Sequence, residues 1–108
     1  MEIVGKENIE KLVASNAMAI LYFYNDNCAP CISLRPKVNQ MVESEFPEIK
    51  LGFVNAVQNS DITASYGIYN SPAILLFIDG KETIRESKYV SVQELRGKIN
   101  RYYQLYFS

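Results

Sequence analysis

The amino-acid sequence predicts a three-layer α/β fold, in which a mixed four-stranded sheet carries helices on both faces. Three observations support it: short apolar runs typical of buried strands, helical periodicity between them, and an Asp-Gly pair before the last strand. A full helix separates the first two strands, which are therefore expected to be parallel with a right-handed crossover. The last two strands are expected to form an antiparallel hairpin. At 108 residues, the chain is expected to form one domain over residues 1–108.

Local signals place the individual elements. The run 17–24 is almost entirely apolar or aromatic, as in a strand covered on both faces. Pro36 interrupts the second helix and is expected to kink it. Gly67 suits the C-cap of a short helix, and Ser91 with Glu94 forms a capping box. The predicted elements are helix 8–15, strand 17–24, helix 31–45, strand 49–57, helix 61–66, strand 73–78, strand 82–87 and a helix from about 91 onward.

Composition and charge exclude several classes of function. Eleven basic and twelve acidic residues give a net charge of -1 without a basic stripe, so no nucleic-acid partner is expected. The longest apolar run is too short to span a bilayer, so no membrane association is expected. The first residues show no signal-peptide pattern, which makes the cytoplasm the expected location. The chain has no histidine, which argues against the usual nucleophile–base pairs.

The two cysteines of the chain form the segment Cys28-Ala29-Pro30-Cys31, where a strand gives way to a helix. A thiolate at the start of a helix is stabilised by free backbone N–H groups and by the helix dipole. Pro30 fits the first turn, where its missing donor has no partner to lose. One helical turn brings the two Cα atoms to roughly 5 to 5.5 Å, within the range that a disulfide spans. We therefore expect Cys28 to be the exposed nucleophile and Cys31 the more buried resolving thiol.

Several further motifs carry a family resemblance. They are the strand Leu21-Tyr22-Phe23-Tyr24 before the cysteines, Pro36 after them, Tyr66-Gly67-Ile68 ahead of Ser71-Pro72, and Asp79-Gly80. In this order and spacing the chain resembles the thioredoxin family, and most of all its small, stand-alone bacterial members. The resemblance implies a thioredoxin-like fold and a thiol–disulfide oxidoreductase that reduces protein disulfides by exchange through Cys28 and Cys31.

The resemblance also implies partners and a substrate-binding surface. Proline by itself gives a cis bond little support, but by resemblance Pro72 is the cis-proline beside the dithiol, and the Ser71 backbone pairs with an extended substrate segment. Ala29 and Pro30 complete the implied substrate-binding residues. No bound cofactor or metal is expected. Electrons are expected from a thioredoxin reductase that uses NADPH, the substrates are disulfide-containing proteins, and the protein is expected to be a monomer.

The chain departs from the family pattern at four positions. Asn27 replaces the usual tryptophan before the first cysteine; it offers a capping side chain but no apolar surface. Tyr22 takes the place of the family's buried aspartate, and Phe53 lies near that of its lysine partner. These two residues are either simple core filling or, for Tyr22, a hydroxyl that takes part in proton transfer. Ala29 replaces glycine, which should matter little.

Two alternatives and one surface remain open. A binding module would hold extended peptides beside Pro72 without redox turnover, and a metal-linked dimer would collect four thiolates from two chains. At the C-terminal end, Tyr102 and Tyr106 continue the apolar helical face and are expected in the core. Tyr103 and Phe107 lie off that face and are expected to be exposed.

Overall fold

The computed structural model describes residues 1–107, and within them four strands and four helices follow the predicted order. Their bounds are α1 Lys6–Ser15, β1 Met18–Tyr24, α2 Ala29–Glu45, β2 Lys50–Asn55, α3 Ser60–Ser65, β3 Ala73–Ile78, β4 Lys81–Glu86 and α4 Val92–Phe107. The predicted fold class is confirmed. None of the helices in this part of the chain has the length and apolar composition needed to cross a membrane.

The strands lie in the order β2-β1-β3-β4, with β1 and β2 parallel and the other neighbours antiparallel. Because β1 is paired on both edges and covered on both faces, its first six residues are fully buried, as the apolar run predicted. The β3–β4 hairpin turns through Asp79 (φ 50°) and Gly80 (φ 82°). Two successive residues at positive φ match the twist of the hairpin, which explains the Asp-Gly pair.

The alternation of side chains along the strands divides the core into two layers. Ile20 and Tyr22 of β1 face α2 and α4, whereas Leu21 and Phe23 face α1 and α3. A period of two along a strand places neighbours on opposite faces, so each face receives its own helix pair. The dithiol therefore lies above the layer that contains Tyr22.

The end of α4 differs from its prediction. Tyr106, expected in the core, is 41% exposed, and its hydroxyl donates to Asp79 Oδ1 at 2.8 Å. Tyr103, expected to be exposed, is half-buried against Phe46, with ring centroids 5.1 Å apart. Tyr102 packs against the core only in part. Helical spacing alone therefore misassigns burial near the end of α4: it overestimates the burial of Tyr106 and underestimates that of Tyr103.

Candidate active site

The first turn of α2 holds the two cysteines. Cys28 is the N-cap residue, with extended backbone (φ −107°, ψ 100°), and its Sγ accepts a hydrogen bond from the Cys31 N–H at 3.2 Å. Pro30 lies within this turn. A 17-residue helix directs the positive end of its dipole at the capping sulfur. The local geometry therefore favours negative charge on Cys28 Sγ when the pair is reduced.

The cysteines are joined in a disulfide, with Cα atoms 5.2 Å apart, inside the predicted range. Cys28 is 8% exposed to solvent, whereas Cys31 is only 1% exposed. Of the two sulfur-bearing residues, only Cys28 is thus open to a partner from outside. This difference agrees with the roles expected for an attacking and a resolving thiol.

The Ser71–Pro72 peptide bond lies beside the dithiol and is cis, as the resemblance implied. The Ser71 carbonyl oxygen is 3.5 Å from Cys28 Sγ, and Pro72 is buried just before β3. Ala29 and Pro30, which follow Cys28 in the chain, are exposed. The tertiary fold therefore brings Ser71 and Pro72 to the cysteines across more than forty residues of sequence. Their role in holding substrate stays a prediction.

Tyr22 lies directly beneath the first turn of α2. Its side chain is fully buried, and its hydroxyl donates to the Cys31 carbonyl oxygen at 2.8 Å. Its ring meets Phe53 edge to face, with centroids 5.4 Å apart. Burial raises the pKa of Tyr22 to about 12, so at neutral pH the hydroxyl is protonated and acts as a donor. Tyr22 thus fills the core, as one of the two hypotheses held, and it also ties that core to the dithiol helix.

Asn27 does not act as the helix cap that its residue type offered. The cap is Cys28, while the Asn27 backbone N–H donates to Asn25 Oδ1 at 2.9 Å in the preceding turn. A sulfur that caps its own helix leaves no position for a second capping side chain. Asn27 is exposed where the family pattern has an aromatic ring. Exposed apolar surface next to the site motifs is supplied instead by Ile32 (65% exposed) and Tyr69 (85%).

Arg35 is a charged neighbour of the site that the sequence analysis missed. Its guanidinium carbon lies 4.0 Å from the centroid of the Phe53 ring and 4.8 Å from that of Tyr24. Its Nη2 is 2.5 Å from Glu2 Oε1, and the Tyr24 hydroxyl donates to Glu2 Oε2 at 2.8 Å. The sequence feature that could have identified Arg35 is its position four residues after Cys31, a spacing that puts both side chains on one face of a helix.

The polar groups around the site are otherwise satisfied. Throughout residues 1–107, no buried side-chain nitrogen or oxygen lacks a hydrogen-bond partner. In the same range no group of three or more His, Cys, Asp or Glu side chains is arranged to hold a metal ion. The chemistry that this arrangement offers is the making and breaking of one disulfide at the surface.

Comparisons with known proteins agree with this geometry. The family model described as Thioredoxin matches residues 1–101. The chain is 32% identical to the thioredoxin-like protein YdfQ of Bacillus subtilis over 99 residues, which is 92% of this chain and 88% of that protein. It is 28% identical to a thioredoxin of Chlamydia pneumoniae over 102 residues, covering 94% and 98%.

Solved structures are similar over the same length. The thioredoxin of Fasciola hepatica superposes with a TM-score of 0.83 at 28% identity, covering 93% of this chain and 96% of that one. A mutant thioredoxin from Halobacterium salinarum reaches a TM-score of 0.86 at 22% identity, covering 94% and 88%. The second comparison bears on the fold alone.

Proposed function

Because this chain belongs to the thioredoxin family and is a thiol–disulfide oxidoreductase, we propose that it reduces protein disulfides with Cys28 as the attacking sulfur and Cys31 as the resolving sulfur. The observation that carries the proposal is the position of Cys28 as the cap of α2, accepting the Cys31 N–H and lying beside Ser71. We further propose that residues 1–108 act as one domain.

In the first step, the Cys28 thiolate attacks one sulfur of the substrate disulfide. A bond forms between Cys28 Sγ and that sulfur, the substrate S–S bond breaks, and the other substrate sulfur leaves as a thiolate that takes a proton from water. Cys28 suits this step because its sulfur faces the helix N-terminus and keeps some exposure.

In the second step, Cys31 gives its proton to water and attacks Cys28 Sγ. The Cys28–Cys31 bond forms, the bond from Cys28 to the substrate breaks, and the second substrate sulfur leaves as a thiolate and is protonated. The substrate gains two electrons and two protons, and the protein dithiol is oxidised to the disulfide seen here. The 5.2 Å separation of the Cα atoms supports this step, because one turn of α2 accommodates the closed bond within the usual range for disulfides.

The proposed substrates are proteins that present a disulfide on an extended segment. Ser71 lies just outside β3, and its carbonyl oxygen is adjacent to Cys28 Sγ. A segment that pairs with the Ser71 backbone would bring its own sulfur to Cys28 in the manner of an added strand. The exposed Ala29 and Pro30 would complete the surface that contacts the segment.

We also propose that the protein works as a monomer in the cytoplasm and takes its electrons from a reductase that uses NADPH. The ordinary surface charge and the relatives named thioredoxin support this proposal. The direction of the reaction depends on the reduction potential of the pair relative to its compartment. Equilibration with glutathione buffers measures that potential.

An insulin-reduction assay with dithiothreitol tests the function. We expect the wild-type protein to accelerate precipitation of the insulin chains and Cys28→Ser to abolish the acceleration. Cys31→Ser should retain the first attack and accumulate a mixed disulfide, which mass spectrometry detects. Wild-type activity in Cys28→Ser would refute the assignment. If the wild-type protein does not reduce insulin, peptide binding that survives the change of both Cys28 and Cys31 to serine would instead support a binding module.

The exposed Asn27 predicts a weaker fit to a general thioredoxin reductase. That position offers an amide where the family pattern has a large apolar ring, so contact area with the reductase is lost. We expect NADPH-coupled turnover below that of a standard thioredoxin, and Asn27→Trp to raise kcat/KM by about tenfold. Turnover equal to that of a standard thioredoxin, or no gain in Asn27→Trp, would contradict this expectation.

A further inference from the structure

An ion pair with Glu2, near the start of the chain, holds Arg35 in place. The Ile3 N–H donates to the Phe53 carbonyl at 2.9 Å, and the Phe53 N–H donates to the Met1 carbonyl at 2.8 Å. These bonds fix Glu2 alongside β2, where its carboxylate meets the Arg35 guanidinium. The first residues of the chain therefore set the position of a charge on the dithiol helix.

Arg35 lies on the same side of α2 as the buried cysteine. Cys31 and Arg35 are four residues apart in one helix, a spacing that brings Cβ atoms to about 6 Å. The guanidinium rests on Phe53, the Phe53 ring packs on Tyr22, and the Tyr22 hydroxyl bonds the Cys31 carbonyl. The Arg35 side chain is 34% exposed, so solvent screens its charge only in part.

The field of this cation reaches the groups next to Cys31. Burial raises the pKa of Tyr22, and the positive charge of Arg35 acts in the opposite direction on the same hydroxyl. Glu2 carries the compensating negative charge, in contact with the guanidinium, and Tyr24 donates to that carboxylate through its hydroxyl. These contacts thus connect two ionisable groups to Cys31, Tyr22 from β1 and Arg35 from α2. Glu2 is connected only through its ion pair with Arg35.

We propose that Arg35 is a positioning residue for the second step, placing a cation on the Cys31 side of α2 that favours the Cys31 thiolate. Glu2 sets how much of that charge Cys31 experiences. This inference rests on the proposed function, because it concerns the step in which Cys31 loses a proton to water and displaces the substrate sulfur from Cys28. A nearby cation increases the thiolate fraction at neutral pH, but it also makes that thiolate a weaker nucleophile.

Stopped-flow reaction of the reduced protein with the chromogenic disulfide dithiobis(nitrobenzoate) separates the two steps. The first coloured thiolate leaves when Cys28 attacks, at a rate proportional to reagent concentration. The second leaves in a first-order process when Cys31 attacks Cys28 Sγ. The rate of the second release against pH reports on Cys31 alone.

For Arg35→Met, which keeps apolar contact with Phe53, we expect the second release to slow about threefold at neutral pH. At pH values where Cys31 is fully ionised we expect it to be faster than wild type, because the thiolate is then more basic. The two pH profiles therefore cross. Arg35→Lys should restore the midpoint of the wild-type pH profile. Glu2→Gln should move that midpoint to lower pH, because the positive charge of Arg35 is then no longer compensated.

Arg96→Met is the matched control, since Arg96 forms a similarly exposed pair with Glu45 on α2, with nitrogen and oxygen 2.8 Å apart. Its profile should coincide with wild type. Parallel profiles for Arg35→Met and wild type, or equal shifts in Arg35→Met and Arg96→Met, would overturn the proposal. If Arg35→Met fails to fold, the shift in Glu2→Gln decides in the same way. Absence of any second release in wild type would refute the proposed function instead.

Discussion

The two faces of the sheet are built from the same strands yet contain different kinds of polar group. On the α1 and α3 face, the buried polar residues Asn59 and Thr63 bond backbone groups: Asn59 Oδ1 accepts the Gly5 N–H from the start of α1, and Thr63 Oγ1 donates to the Asn59 carbonyl. On the α2 and α4 face, the Tyr22 hydroxyl donates to the Cys31 carbonyl oxygen. One face uses its polar groups to fix loops and helix ends, whereas the other uses one to hold the backbone of the disulfide.

This difference shows how a small domain separates stability from chemistry. We expect that the α1 and α3 layer can lose packing without a change in the groups that contact Cys31. In the α2 and α4 layer, we expect removal of the Tyr22 hydroxyl to change the hydrogen bonding and the electrostatics next to the dithiol. Substitutions in the two layers test that separation.

The largest effect is expected from Phe23→Ala on the α1 and α3 face. Phe23 is fully buried and meets Tyr66 edge to face at 6.1 Å. Removal of the ring should cost about 4 kcal/mol of the free energy of unfolding, measured by urea denaturation. The pH profile of thiolate release by the folded fraction should remain that of wild type; a shifted profile would mean that the two layers are coupled.

The next effect concerns the pH dependence of stability through Tyr22. Its pKa rises from 10.0 to about 12 on folding, because burial disfavours the phenolate. The native state thus holds this proton more tightly, so the contribution is fully present below pH 10 and is lost as the pH rises through about 12. We expect a loss on the order of 2 kcal/mol across this window.

Tyr22→Phe is the control for that measurement, because it removes the titrating group and keeps the ring. Urea denaturation below pH 10 and near pH 12 should show a smaller alkaline loss in Tyr22→Phe than in wild type. Equal losses in the two proteins would assign the alkaline instability to other groups.

At neutral pH, Tyr22→Phe should destabilise the protein by about 1 kcal/mol. The Cys31 carbonyl loses one hydrogen bond in a buried site. Tyr24→Phe is a matched comparison on the same strand, since its hydroxyl bonds Glu2 at the surface and should cost less. A larger loss in the free energy of unfolding for Tyr24→Phe than for Tyr22→Phe would contradict this expectation.

The smallest effect is expected outside both layers, at Tyr106. Its bond to Asp79 lies at the surface, so Tyr106→Phe should change the free energy of unfolding by less than about 0.5 kcal/mol. Thermal unfolding checks this value. A loss above about 1 kcal/mol would show that the end of α4 belongs to the core, as its helical spacing had suggested.

Much of the fold could be predicted because its signals are local. The bounds of β3 agree with the run Ala73–Ile78, and Asp79-Gly80 identifies its hairpin. The capping box was also correct: the Glu94 N–H donates to Ser91 Oγ at 3.0 Å, and the Ser91 N–H donates to Glu94 Oε1 at 3.4 Å. In each case the residues that form the contact are neighbours in sequence, so spacing is enough to find them.

The start of α2 was harder to predict from the sequence. Spacing predicted a helix from Cys31, whereas the structure begins it at Ala29 with Cys28 as the cap. Sulfur is not among the side-chain atoms that usually cap helices, whereas Asn27 just before it offers an ordinary capping side chain. In the structure the cap is nevertheless Cys28.

The sequence by itself determined that a dithiol stands at a strand-to-helix junction, because four adjacent residues contain that information. Only the tertiary structure decided what surrounds it. Glu2 meets Arg35 across 33 positions and Ser71 meets Cys28 across 43, and no local pattern encodes either contact. These residues come into contact because burial of two layers of apolar side chains holds the strands and helices together. That packing also decides which charged groups lie near the sulfurs.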